Sequence, residues 1–68
     1  MQLAIELERE EDGRWIAEVP ALSGVLAYGQ IRDEVLAKVE ALALRVLAER
    51  LEQGEQAPDR FSVTFQAA

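Results

Sequence analysis

The sequence predicts an α+β fold, a β-β-β-α-β chain that forms a mixed sheet with one long helix on one face. Three observations carry that expectation. Two segments of alternating apolar and polar residues and a short apolar one precede Gly29, the run from Ile31 to Glu52 holds neither Gly nor Pro, and a further alternating segment follows Pro58.

In the first segment Leu3, Ile5 and Leu7 alternate with Ala4, Glu6 and Glu8, the period-two pattern of a strand with one buried and one solvated face. The acidic stretch Arg9 to Arg14 contains Asp12-Gly13, a hairpin signal because glycine accepts the positive φ that tight turns need. Trp15, Ala17 and Val19 then alternate with Arg14, Ile16 and Glu18, until Pro20 removes an amide donor and ends regular pairing. Ala21 to Gly24 form a bend, and Val25 to Tyr28 a short third strand closed by Gly29. Ala, Leu, Glu, Arg and Val dominate from Ile31 to Glu52, as a helix requires, and Gly54 supplies its stop. Gln56 to Asp59 make a linker, after which Phe61, Val63 and Phe65 alternate with Ser62, Thr64 and Gln66 as a fourth strand. Two hairpins leave the third strand parallel to the first, and a right-handed crossover through the helix makes the fourth run the same way.

Sixty-eight residues are expected to form a single domain over 1–68. A chain this short removes only about 60% of its unfolded surface from water, so its core is marginal alone. With no Cys and no His, neither disulfides nor a closed zinc site can reinforce it, which leaves self-association as the expected route. The net charge of −6 opposes binding to nucleic acid or to an anionic membrane surface and favours a basic partner. No apolar run is long enough to span a membrane, and the first residues do not resemble a secretion signal, so a cytoplasmic location is expected.

The helix is apolar over too wide an arc for one small sheet. Placed at about 100° per residue, Ile31, Val35, Val39, Leu42 and Val46 fall within roughly 80°, enough to cover a sheet face over Leu3, Ile5 and Leu7. The apolar surface continues to about 280°, and Leu36, Ala43, Leu44, Leu47 and Leu51 are therefore expected to form a self-association face, in a homodimer or tetramer.

Catalytic readings find little support. Ser23-Gly24 lacks any His to activate the hydroxyl, and Asp33, Glu34 and Glu40 diverge around the helix rather than converging on one metal. Helix-dipole complementarity accounts for Asp33 and Glu34. No enzyme activity, cofactor or metal site is expected, and Glu8, Glu10, Glu11 and Asp12 are the candidate contacts for a basic protein. Trp15, beside Ala17 and Val19, is assigned to the core.

The ordered set Trp15-Ile16-Ala17-Glu18-Val19-Pro20-Ala21-Leu22-Ser23-Gly24, then Gly29 and Asp33-Glu34-Val35, resembles the HicB antitoxin family and its short stand-alone relatives. The resemblance covers nearly the whole chain. It implies a partial ribonuclease-H-like fold without catalytic carboxylates, homodimers or tetramers, and neutralisation of a small basic HicA-like ribonuclease toxin by steric cover. The sequence includes no segment matching the C-terminal DNA-binding domain of full antitoxins, so direct nucleic-acid binding is not expected. Ile31 stands where such relatives place a capping Thr or Ser. The alternative is an orphan self-assembling module that binds another protein, or a small ligand between subunits.

Overall fold

A computed structural model describes residues 1–56 and 58–67; Ala57, within the linker expected over 56–59, lies outside the described residues. Strands β1 (Gln2–Arg9), β2 (Trp15–Glu18), β3 (Leu26–Gly29) and β4 (Thr64–Ala67) form one mixed sheet in the order β3-β2-β1-β4, and helix α1 (Arg32–Glu52) covers one side. β1 pairs antiparallel with β2 and β2 antiparallel with β3, as two hairpins require, and β4 runs in the expected direction; its place beside β1, in a parallel pair, is supplied by the structure. A short 3-10 turn over Pro58–Arg60 leads into the last strand.

The β1–β2 hairpin is set by its turn chemistry. The Glu10 N–H donates to the Arg14 carbonyl at 2.7 Å and the Gly13 N–H to the Glu10 carbonyl at 2.9 Å, while Gly13 takes φ 90°, a conformation that a Cβ disfavours. The resulting three-residue tip places Glu8 opposite Ile16 and Glu6 opposite Glu18. Between β2 and β3 the chain closes on itself, with the Val19 N–H donating to the Val25 carbonyl, the Leu22 N–H to Val19 and the Val25 N–H to Leu22. This bend carries Val19, Leu22 and Val25 into the core, each at 3% exposure or less, so it acts as a packed plug rather than a surface loop.

α1 begins at Ile31, whose extended backbone (φ −120°, ψ 128°) makes it the N-cap with no side-chain cap bond, as an aliphatic side chain dictates. Asp33 and Glu34 in the first turn complement the dipole. At the other end the Glu55 N–H bonds the Arg50 carbonyl and the Gly54 N–H the Leu51 carbonyl, with Gly54 at positive φ, so the final carbonyls are satisfied by a glycine stop.

The helix faces the sheet through Val35, Val39, Ala43 and Leu47, all at 1% exposure or less. The rotation expected from the helical wheel is thereby corrected. Ile31 is 54% exposed, because it precedes the helix, and Leu42 and Val46 are only half-buried at the margin of the core. A row at i, i+4, i+8 and i+12 is one of the natural ridges of a helix, and Ala43 within it lets the two layers approach. Gly29 makes the closest approach at the start of α1: a Cβ there would stand 2.5 Å from Val35 Cγ2. Leu3, Ile5, Ala17, Val19, Leu22 and Val25 complete the buried core, with Phe61, Val63, Phe65 and Trp15 packed half-buried around it.

Candidate protein-binding surface

The side of the sheet away from α1 has no cover within the described residues. Strand alternation and register determine what it presents. β1 contributes Gln2, Ala4, Glu6 and Glu8, and β2 contributes Ile16 and Glu18. β3 adds Leu26 and Tyr28, and β4 adds Thr64 and Gln66. Glu6 lies directly opposite Glu18, Glu18 opposite Leu26, and Ile16 between Glu8 and Tyr28. Three carboxylates thus share the middle of an open face with three apolar side chains. Leu26 and Tyr28 are 40% and 48% exposed, and Ile16 is half-buried. A shallow depression of about 370 Å³, lined by Glu6, Leu7, Glu8, Ile16 and Glu18, marks the centre.

The electrostatics of this face are one-sided. Like charges directly opposite on paired strands oppose sheet formation, and among the described residues none of the three glutamates has an ion-pair partner. The nearest cation by topology, Arg14, is engaged with Asp12 and Tyr28 rather than with these glutamates. Its Nε donates to Asp12 Oδ2 at 2.9 Å, and its guanidinium stands 5.7 Å from the centre of the Tyr28 ring. A face of this kind suits a basic surface that brings apolar contacts of its own. Among the described residues no three acidic side chains are grouped as metal ligands.

The acidic stretch singled out in sequence is divided by the fold. Glu8 joins Glu6 and Glu18 on the sheet face, whereas Glu10, Glu11 and Asp12 form the hairpin tip with Arg14. Asp12 is committed to the turn: its Oδ1 accepts the Arg14 backbone N–H at 3.1 Å, and that bond, with help from the nearby guanidinium, holds its carboxyl below the usual aspartate value. Glu6, Glu18, Ile16, Leu26 and Tyr28 were not assigned to a site from sequence. The signal was present for the glutamates, since alternation already placed Glu6, Glu8 and Glu18 outward; only the strand register brings them together.

The expected self-association face is also divided. Ala43 and Leu47 lie inside the chain's own core at 0% and 1% exposure and cannot contact a second copy. Leu36 is half-buried against that core, and Leu51 is half-buried. Leu44 alone of the five stands well exposed, at 46%. The correction follows from the rotation of α1 described above.

Among the described residues no helix is long and apolar enough to cross a membrane. Comparison with protein-family models, with curated proteins and with solved structures returns no match.

Proposed function

We propose that the chain is a HicB-like, antitoxin-type binding protein that acts in the cytoplasm and neutralises a small basic HicA-like ribonuclease by covering it. The observation that carries the reading is the open sheet face, where among the described residues Glu6, Glu8 and Glu18 form no ion pair and stand beside Ile16, Leu26 and Tyr28. A basic ribonuclease must expose cations to hold the RNA backbone, and those cations are the complement this face lacks. Tyr28 and Leu26 supply the apolar anchors that hold a protein partner once charge has steered it in. The ribonuclease-H-like ancestry implied by the sequence resemblance belongs to the same proposal. So does the loss of catalysis, and the module binds rather than cleaves.

Co-expression with a small basic ribonuclease encoded in the adjacent reading frame tests it. Wild type is expected to restore growth and co-elute with the toxin, whereas Glu6→Lys/Glu18→Lys should do neither while keeping its circular dichroism spectrum. A toxin neutralised equally by both proteins would overturn the assignment of this face. If no basic protein co-purifies and no adjacent frame encodes one, the antitoxin reading falls.

A further inference from the structure

We infer, on the reading that the open sheet face binds a basic protein, that Asp12 is a positioning residue for that face: it holds Arg14 over Tyr28 and away from Glu8, and so keeps the carboxylates there accessible to the partner. Register puts Arg14 on this face. It stands opposite Glu10, whose N–H donates to its carbonyl at 2.7 Å, and two residues before Ile16, whose partners across the strands are Glu8 and Tyr28. Glu8 and Tyr28 are therefore its diagonal neighbours, about 7–8 Å away and within reach of an arginine. The strands and the turn between β1 and β2 carry one other cation, Arg9, and its guanidinium lies 5.8 Å from the centre of the Trp15 ring instead. The remaining Lys and Arg residues belong to α1 and the 3-10 turn.

Arg14 thus has a carboxylate on one side and an aromatic ring on the other. An exposed ion pair and an exposed cation–π contact are of comparable strength, so the choice depends on where the guanidinium is held. Asp12 holds it at two points. Its Oδ1 accepts the Arg14 backbone N–H at 3.1 Å and its Oδ2 accepts Nε at 2.9 Å, which leaves the guanidinium 5.7 Å from the centre of the Tyr28 ring. Among the described residues Arg14 forms an ion pair with Asp12 alone, and neither Glu8 nor Glu10 forms any. One carboxylate at the hairpin tip therefore neutralises the cation that would otherwise neutralise the face. Released, Arg14 would fold onto Glu8 at the margin of the depression lined by Glu6, Leu7, Glu8, Ile16 and Glu18, and a basic partner would have to displace it. Glu10, directly opposite at the tip, is the competing acceptor, and Arg14 seated there would leave the face open.

Asp12→Asn in the full chain separates the two bonds. The amide oxygen still accepts the Arg14 backbone N–H and keeps the turn, while the amide NH2 is a donor and cannot hold the guanidinium. By NMR the Arg14 side chain of wild type should show an upfield ring-current shift from Tyr28. Asp12→Asn should abolish that shift and bring nuclear Overhauser contacts between Arg14 and Glu8. Calorimetric titration with nona-arginine as the basic probe, at about 0.15 M salt, should show Asp12→Asn binding about two- to fivefold more weakly, the scale of one exposed ion pair that must first be broken. Glu55→Gln removes the same charge beyond the far end of α1 and should leave binding nearly unchanged, whereas Asp12→Asn/Arg14→Gln should restore it. A double variant as weak as Asp12→Asn would overturn the inference, as would an Arg14 that stays over Tyr28 or moves to Glu10 in Asp12→Asn. Movement of Arg14 onto Glu8 without any binding of the probe by wild type would support the clamp and overturn the protein-binding reading of the face.

Discussion

Leu3 and Ile5 on one side of β1 are 4% and 1% exposed, whereas Ala4, Glu6 and Glu8 on the other side stand in solvent. The same contrast runs across β2, where Ala17 is fully buried beneath α1 and Glu18 is not. Among the described residues the covered face has no buried polar or charged side chain, and its layers meet so closely that Gly29 leaves no room for a methyl group beside Val35. On the open face like charges are set against each other and apolar side chains are left accessible. Stability therefore comes from one face, and the other is free to carry a composition that stability alone would not select.

The contrast can be broken most severely from the covered side. Val39→Asp should destabilise the fold by about 3–5 kcal/mol, enough to unfold a domain this small, because it places an unpaired carboxylate where exposure is zero. Loss of the cooperative urea transition by circular dichroism is the expected outcome. Two leucines on α1 sharpen the contrast. Leu47→Ala should cost about 2–5 kcal/mol and Leu44→Ala no more than about 0.5, measured on monomer at low concentration, since the first is 1% exposed and the second 46%. Gly29→Ala should cost about 1–3 kcal/mol by overpacking Val35, and Gly29→Ala/Val35→Ala should be less destabilised than the sum of its parts.

Substitutions on the open face should act in the other direction and more weakly. Glu18→Lys replaces a repulsive cross-strand pair with an attractive one opposite Glu6, and a gain of about 0.2–1 kcal/mol is expected, diminishing in high salt. The smallest effect belongs to the hairpin tip. Because the folded state lowers the Asp12 pKa, chiefly through the Arg14 backbone N–H, its contribution is present above the unfolded value and lost as pH falls through the lower folded one. Titration of the Asp12 carboxyl by NMR should show a midpoint below the ordinary aspartate value, with Arg14→Ala returning it partway.

The succession of elements along the chain, the direction of β4 and the limits of α1 were legible in the sequence because each rests on local chemistry: alternation, Asp12-Gly13, and a run without Gly or Pro closed by Gly54. The rotation of α1 was not. With apolar residues around most of its circumference, several faces satisfy the same pattern, and the choice depends on how the ridge through Ala43 and the gap at Gly29 fit the sheet. Leu22 was missed as a core residue for a related reason: it sits in a bend between Pro20 and Gly24, where a surface turn is the default, yet three backbone hydrogen bonds fold it inward. The grouping of Glu6 with Glu18 depends on the three-residue hairpin tip, whose length sets the register.

The parallel pairing of β4 with β1 also orders events in time. β1, β2 and β3 meet through short connections and α1 follows directly, but Gln2 must find Thr64 across almost the entire chain. Closing so long a loop is entropically unfavourable until the meander and helix already hold its ends near each other, so β4 is expected to dock last during folding. As an edge strand paired only with β1, it should also open first, and its amides should exchange with solvent faster than those shared between β1 and β2.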